Sequence, residues 1–410
     1  MMFHLPLFAR LAACALCVVA PTVSAATVAD WPHWLGPTGD NLAADGGTFD
    51  GNLSHWKIAW KANVGRGYSA VTVVGNRAYT LGHDEKSQET IYCLDAATGA
   101  TLWKHAYDAQ LLPKMHPGGP NATPTVLDNR VLTVSKDGQV FCLSADKGNL
   151  LWQAKLTDLG LPLPQWGFAS SPVVDGNRVL FAAGKVAALD LASGKLLWTS
   201  KNEYHAGYTT AVVFERNGKK LIAALDGKGL CILSGTDGGE LVRRPFKATF
   251  DMVASTPYAL DQGNRILITG NTSAELLDFD GTHLTPVWTS TEIKTSLNNT
   301  VLRGGVIYGI DGRQGSASSR LVAVALKDGK VKWSQANFGY GSMIGVGASL
   351  LALTENGELI GAKVSPDGFE ELGRQQVLGK TCWTPPVYAQ GRIFVRNDRG
   401  ETVCLASAVH

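Results

Sequence analysis

Aromatic and charged side chains recur in short segments spread along this chain, and their chemistry could serve a ligand. Three of these segments are Gly65-Arg66-Gly67-Tyr68-Ser69, Gln165-Trp166-Gly167-Phe168 and Thr249-Phe250-Asp251-Met252. Aromatic and polar groups that converge at one mouth make a plausible binding pocket. The alternative is that the aromatic rings only seal a channel and pack between structural units. The choice depends on the elements that carry the segments.

Motifs for other kinds of chemistry are absent from the sequence. It contains no P-loop, no HExxH zinc motif and no GxSxG nucleophile elbow. The histidines are scattered and the cysteines beyond residue 25 include no CxxC pair, which argues against a metal or redox centre. Lys and Arg number 37 against 35 Asp and Glu, so the strong basic character of a nucleic-acid-binding protein is missing. A hydrolase, a lyase and a nucleic-acid partner are therefore disfavoured.

A repeat of about 45 residues carries these segments. Its core, Leu-Asp-x-x-Thr/Ser-Gly-x-x-Leu-Trp, occurs at residues 94–103 and again at 189–198. Each period holds four short apolar runs separated by turns, which is typical of a four-stranded antiparallel propeller blade. The tryptophans that end the repeat should be buried on outer strands against the neighbouring blade; they include Trp103, Trp152, Trp198 and Trp333.

The repeats predict an all-β fold, an eight-bladed β-propeller. Seven blades are expected near residues 69–103, 122–152, 169–198, 209–242, 254–288, 298–333 and 342–372. The tail, residues 383–406, supplies only three strands, and residues 55–61 supply a fourth. We therefore expect an N-terminal strand to join the C-terminal blade and close the ring, which removes exposed sheet edges.

The N-terminus reads as an export signal. An apolar run at residues 11–20 is followed by Val23-Ser24-Ala25, which fits a signal-peptidase site, so residues 1–25 are expected to be cleaved. A lipobox, Leu11-Ala12-Ala13-Cys14, is the alternative, but Arg10 lies too close to the cysteine for a long apolar stretch. Residues 26–410 are then one domain, periplasmic or secreted, without a transmembrane segment and without a lipid anchor.

The Leu-Asp-x-x-Thr/Ser-Gly-x-x-Leu-Trp copies resemble the repeats of propellers of the pyrroloquinoline quinone (PQQ) type. That superfamily includes quinoprotein alcohol dehydrogenases and the barrel-assembly lipoprotein of the bacterial outer membrane. The segment at residues 30–40, Asp-Trp-Pro-His-Trp-Leu-Gly-Pro-Thr-Gly-Asp, looks like the opening of bacterial exported quinoprotein-like repeat proteins. The resemblance covers residues 30–406 and is more specific for fold than for chemistry.

For a dehydrogenase, the resemblance implies an aromatic floor under the quinone, cations for its carboxylates, Ca²⁺ and a carboxylate base. The residues of the connecting segments that could meet these needs are Trp166 and Trp383 for the floor, Arg66, Lys294 and Lys380 for the carboxylates, Glu203, Asp251 and Asn298 for Ca²⁺, and Asp251 for the base.

Two departures weigh against that enzyme. The family's dehydrogenases commonly carry adjacent cysteines and are usually longer, whereas this sequence has no Cys-Cys pair. The favoured hypothesis is a binding or assembly scaffold for protein or glycan, with no cofactor firmly implied. The alternative is a PQQ- and Ca²⁺-dependent alcohol or sugar dehydrogenase.

Overall fold

The computed structural model describes residue 1 and residues 30–44, 49–201, 207–379 and 381–408. The leader expected at residues 1–25 lies, apart from Met1, outside the described residues. Strands β1 to β33 are, in chain order, Leu42–Ala43, Trp56–Asn63, Thr72–Val74, Arg77–His83, Gln88–Asp95, Thr101–Asp108, Thr125–Leu127, Arg130–Val134, Gln139–Ser144, Leu150–Lys155, Val173–Asp175, Arg178–Ala182, Val186–Asp190, Leu196–Thr199, Val212–Arg216, Lys219–Asp226, Gly229–Ser234, Glu240–Pro245, Tyr258–Leu260, Arg265–Thr269, Ala274–Phe279, Leu284–Ser290, Val301–Arg303, Val306–Asp311, Arg320–Ala325, Val331–Gln335, Gly341–Val346, Ser349–Thr354, Glu358–Ser365, Gly368–Gln376, Val387–Ala389, Arg392–Arg396 and Glu401–Ser407. The helices described are two short 3₁₀ turns, Thr249–Asp251 and Asp261–Gly263.

These strands form eight sheets, each built on four antiparallel strands. Seven sheets use consecutive strands, from β3–β6 through β27–β30, so that each is a simple up-and-down meander. The last strand of each meander is more exposed than the first, as β6 is compared with β3 and β14 compared with β11, which places the first strand nearer the ring axis. The eight-bladed propeller predicted from the repeat is confirmed, and we number the blades 1 to 8 in chain order.

Blade 8 combines the two ends of the described chain. Its strand order is β2-β33-β32-β31, and β2 runs antiparallel to β33 with Trp56 opposite Ser407 and Asn63 opposite Glu401. Arg396, fully buried at the end of β32, reaches from this blade to blade 1. Its Nη1 donates to the carbonyls of Ser69 (2.9 Å) and Leu81 (2.7 Å). The strand β2 thus completes blade 8, and the buried Arg396 guanidinium connects this blade to blade 1.

Tryptophan docking joins neighbouring blades. Trp152, on the outer strand of blade 2, lies over Gly194 of blade 3. Its Nε1 donates to the carbonyl of Leu191 at 2.9 Å. A Cβ at Gly194 would lie 2.5 Å from the indole ring, and the residue has φ +71°. Glycine is therefore required both by the left-handed backbone and by the ring above it. The same docking occurs for Trp60 on Gly99, Trp103 on Gly148, Trp198 on Gly238 and Trp288 on Gly329.

The rest of the repeat motif builds the turn that receives the tryptophan. Asp95 Oδ1 accepts hydrogen bonds from the backbone N–H of Ala97 (3.0 Å) and from the N–H (2.8 Å) and hydroxyl (2.9 Å) of Thr98. Asp190 and Ser193 repeat this arrangement in blade 3. One expectation needs correction, because among the four tryptophans expected to be buried only Trp152 is. The other three, Trp103, Trp198 and Trp333, are half-exposed because outer strands face solvent.

Residues 30–44, here called the N-terminal plug, contact the first strands of three blades, which the sequence analysis did not predict. Trp31 exchanges backbone hydrogen bonds with Val73 of β3, and the N–H of Val126 in β7 donates to the carbonyl of Pro32 at 2.8 Å. The plug's own strand, β1, pairs in parallel with β27 and makes blade 7 five-stranded. Because β3, β7 and β27 are innermost strands of three blades, the plug occupies the axis of the ring.

We expect Gly194→Ala to destabilise the protein more than Gly176→Ala. Both glycines have positive φ, +71° and +61°, so both substitutions carry the backbone cost of about 1–2 kcal/mol. Only Gly194 faces an indole ring, which should add roughly 1–3 kcal/mol of overpacking, since Gly176 has open space around it. Denaturant unfolding of the two variants measures the difference. Equal losses would show that the docking does not stabilise the ring.

Candidate functional site

A pocket of about 750 Å³ opens on the face where each outer strand connects to the next inner strand. Its walls come from these connectors and from the turns between the second and third strands of the blades. Trp34, which lines the pocket from the plug, donates from Nε1 to Thr256 Oγ1 at 3.0 Å. Since the plug fills the axis, Trp34 makes the floor of the pocket. The described aromatic residues of the lining are Trp34, Tyr68, Trp166, Tyr208, Phe250 and Trp383.

Two ring pairs shape the walls. Tyr68 stacks on Trp383, with centroids 5.3 Å apart and planes inclined by 18°, and Trp383 Nε1 donates to Glu355 Oε1 at 2.7 Å. Trp166 lies 5.4 Å from Tyr208 across the next connectors. Backbone bonds fix these positions, because the N–H of Tyr68 donates to the carbonyl of Pro120 at 2.7 Å. The arrangement offers fixed, flat apolar surfaces to a ligand.

The rim of the pocket exposes large apolar side chains. Met115 is 80% exposed and Phe250 is 78% exposed, although both belong to the pocket lining. Phe250 has φ 59° and ψ 23°, a left-handed conformation that is costly for an aromatic residue. Exposed methionine and phenylalanine beside a concave aromatic surface are typical of sites that contact other molecules.

The described pocket lining carries few charged side chains. Among the described residues that line the pocket, Arg313 is the one Arg, Lys, Asp or Glu, and no carboxylate is present. Burial, together with the neighbouring Lys136, lowers the pKa of His116, another lining residue, to about 4. His116 is therefore neutral near pH 7. With one cation and no carboxylate among its described lining residues, this part of the pocket favours anionic over cationic ligands.

The structure brings two of the sequence-predicted cofactor residues together. Trp166 and Trp383 both line the pocket. Arg66 is on the same face but lies outside the lining, where it forms ion pairs with Glu85 and, at 3.0 Å, with Asp398. Lys294 is also outside the lining, and its backbone N–H donates to Asp311 Oδ1 at 3.0 Å.

The residues predicted to bind calcium are not assembled around one point among the described residues. Asp251 forms an ion pair with Lys228 at 2.9 Å and does not line the pocket. Asn298 is buried, and its Nδ2 donates to the carbonyls of Ile310 (3.1 Å) and Gly341 (3.0 Å). Glu203 and Lys380 lie outside the described residues. Within the described part of the chain, no group of three or more His, Cys, Asp or Glu side chains could hold a metal ion.

Sequence reasoning missed a buried polar cluster behind the pocket wall. Lys136, fully buried, lies in the turn between β8 and β9, and its Nζ is 3.4 Å from both His116 Nε2 and Asn121 Oδ1. Its backbone N–H donates to Glu89 Oε1 at 3.1 Å, while the Tyr107 hydroxyl donates to Oε2 at 2.9 Å. The turns within each blade share this face with the connectors, and considering them would have drawn attention to Lys136.

The fold and the mouth pocket define an eight-bladed propeller of the PQQ-like repeat class. A family model described as outer membrane protein assembly factor BamB matches residues 53–212 and 89–335. These matches span more than half of the chain, so the chain belongs to this family. Among the described residues, no helix has the length and apolar character needed to cross a membrane.

Individual relatives include an assembly factor and dehydrogenases. The polyvinylalcohol dehydrogenase of a Pseudomonas species is 26% identical over 200 residues, covering 43% of this chain and 30% of that enzyme. BamB of Moranella endobia is 25% identical over 336 residues, covering 76% of this chain and 79% of that protein. A europium-containing methanol dehydrogenase superposes with a TM-score of 0.72 at 12% identity, over 90% of this chain and 89% of that enzyme. This chain spans less than a third of the polyvinylalcohol dehydrogenase, and the structural likeness shows the fold alone.

The described residues do not fit a calcium-bound quinone in this pocket. Such a group needs cations for its carboxylates, oxygen ligands for the metal and a carboxylate base. The described lining supplies one guanidinium and no carboxylate, and Asp251 is engaged by Lys228. No catalytic step through a quinone follows from this arrangement.

We expect Glu89→Gln to change how stability depends on pH. Burial raises the pKa of Glu89 from 4.5 to about 8, so the stability that it contributes is complete below pH 4.5 and is lost as pH rises through 8. Between pH 5 and 7 the wild type should lose up to about 1.4 kcal/mol per pH unit relative to the glutamine variant. Urea unfolding at pH 5, 6 and 7 measures this slope. Parallel stability curves for the two proteins would rule out the buried neutral carboxyl.

Proposed function

We propose that this protein is an exported binding or assembly scaffold that takes a segment of a protein partner into its mouth pocket. The observation that carries the proposal is the concave aromatic surface over Trp34 with Met115 and Phe250 exposed at its rim. Aromatic side chains dominate binding energy at protein interfaces, and methionine adapts to varied apolar surfaces. A fixed pocket with an apolar rim is suited to an extended segment that carries aromatic or apolar side chains.

Membership of the BamB family supports a protein partner and a periplasmic location, at or near the outer membrane. Of the two partner classes expected from the sequence, the family favours protein, and the proposal leaves glycan aside. Cleavage of residues 1–25 remains part of this proposal, since export requires a signal of that kind.

A dehydrogenase is the second candidate. The similarity to a polyvinylalcohol dehydrogenase and the stacked rings of Tyr68 and Trp383 favour it, because flat aromatic walls also suit a planar cofactor. The lining described here gives this candidate no base and no set of calcium ligands, and we therefore rank it second.

Site-specific photo-crosslinking in the native cell envelope tests the scaffold. p-Benzoylphenylalanine replaces Phe250 or Met115 at the rim, and Leu127, 39% exposed beside a turn on the opposite face, is the matched control. We expect discrete protein adducts from positions 250 and 115 and none of the same mass from position 127. Identical adducts from all three positions, or none from the rim, would contradict the proposal.

A second variant links the adducts to the pocket. Trp166→Ala in the Phe250 crosslinking background should lower adduct yield about tenfold, as expected for an aromatic hot spot. The variant's melting temperature and circular dichroism show whether the ring is intact. Undiminished adducts from a folded Trp166→Ala protein would place the partner elsewhere.

A further inference from the structure

The buried Lys136 amine lies directly behind one wall of the pocket. Its nearest described polar neighbours, His116 Nε2 and Asn121 Oδ1, are each 3.4 Å from Nζ, which is long for a hydrogen bond. Both neighbours belong to the pocket lining. A buried lysine normally has a close carboxylate or several strong acceptors, and this one has two loose contacts beside a cavity.

The contacts of His116 favour one protonation state of this lysine. The backbone N–H of Gly118 donates to His116 Nδ1 at 3.1 Å, so Nδ1 carries no proton. A neutral imidazole then carries its proton on Nε2, which faces Lys136 Nζ. An ammonium group has no lone pair to accept that N–H, whereas a neutral amine has one. A neutral Lys136 amine therefore fits this contact with His116, whereas an ammonium group does not.

The amine's second contact continues the chain of hydrogen bonds. Nζ donates to Asn121 Oδ1, and Asn121 Nδ2 donates to the carbonyl of Trp166 at 3.3 Å. The relay thus runs from His116 through Lys136 to the backbone of an aromatic residue of the pocket wall. An anion held at this end of the pocket would have the Trp166 ring beside it.

The other titratable groups around the lysine agree with a neutral amine. Glu89 bonds to the backbone N–H of Lys136 and to the Tyr107 hydroxyl, and its carboxyl makes no hydrogen bond to Nζ. Asp137, the next residue, accepts from the hydroxyl of Ser135. Burial lowers the pKa of Lys136 to about 7 and raises that of Glu89 to about 8. The amine is therefore placed to change protonation near neutral pH.

We propose that Lys136, His116 and Asn121 form the anion-recognition end of the pocket, which takes a carboxylate borne by a flat aromatic ligand, and that Lys136 takes up one proton from solvent when the carboxylate binds. Once Lys136 is protonated, its amine no longer accepts from His116 Nε2–H, so this N–H becomes free to donate to the carboxylate, whose negative charge stabilises the ammonium group behind it. The described lining contains no carboxylate to compete for this position.

This inference rests on the pocket being a binding site and deepens the proposed function. The partner segment would present an aromatic side chain beside a carboxylate, from an acidic residue or from a chain terminus. Crosslinking at Phe250 and Met115 does not depend on Lys136. Failure of the anion site would leave those adducts intact, whereas failure of the scaffold proposal would remove them.

Calorimetric titration with N-acetyl-L-tryptophan and with its neutral amide tests the site, because the two probes differ only in the carboxylate. At pH 6 the acid should bind at least about tenfold more tightly than the amide, and this preference should fall by up to about tenfold per pH unit between pH 7 and 8. Titrations at pH 7.5 in phosphate, HEPES and Tris should show net proton uptake. Equal binding of acid and amide, or no binding of either, would overturn the proposal.

Two variants assign the effect. Lys136→Met should abolish both the preference for the acid and its pH dependence. Arg313→Gln is the control, because a guanidinium does not titrate in this range and its loss should leave the pH dependence unchanged. Persistence of the pH dependence in a folded Lys136→Met protein would overturn the proposal.

A ligand-free measurement keeps the inference testable if Lys136→Met fails to fold. In wild-type protein labelled with ¹³Cε-lysine, one lysine resonance should titrate near pH 7 and report a neutral amine by pH 8.5. Lysine resonances that all remain those of ammonium groups up to pH 9 would contradict a neutral Lys136.

Discussion

The ring depends on one repeated contact, an outer-strand indole lying over the glycine turn of the next blade. Trp152 shows both parts of this contact, since its ring covers Gly194 and its Nε1 donates to the carbonyl of Leu191. A side chain on the glycine would collide with the ring, and any other residue would resist the left-handed backbone. The same contact joins Trp60 of blade 8 to Gly99 of blade 1, so it also connects the last blade of the ring to the first. The contact occurs at five of the eight blade junctions, and there the same local interaction positions one blade on the next.

That geometry places the connectors around a common mouth, and the plug adds a side chain to the pocket found there. Residues 30–44 contact the innermost strands of three blades, and their Trp34 supplies part of the pocket lining. The plug is held mainly by backbone bonds to innermost strands, such as those between Trp31 and Val73, and by Asn41 Nδ2, which donates to the carbonyl of Met343 at 2.8 Å. The strands of the ring follow the sequence repeat, whereas the pocket lining comes from the plug and from connectors whose sequences differ between blades.

This difference explains what the sequence could predict. Blade number and blade boundaries follow from motifs that act within one repeat, and Trp166 and Trp383 were found because they lie in the connectors between repeats. The plug was missed because its partners lie far along the chain, as for Asn41 and Met343. The ion pair between Asp251 and Lys228 and the burial of Lys136 depend on side-chain directions in turns, which no spacing pattern specifies. Fold was therefore predictable from local periodicity, and site chemistry was not.

We propose that the mouth pocket recognises a protein partner rather than a quinone cofactor. Its described lining offers aromatic walls and one guanidinium, Arg313, but no carboxylate to act as base or calcium ligand. Titration of the calcium-loaded protein with pyrroloquinoline quinone, followed by calorimetry and dye-linked alcohol oxidation, tests this claim most directly. The account predicts no stoichiometric binding of the quinone and no dye reduction. Tight one-to-one binding that supports dye reduction and is lost in Trp166→Ala or Asp251→Ala would contradict it and establish a dehydrogenase.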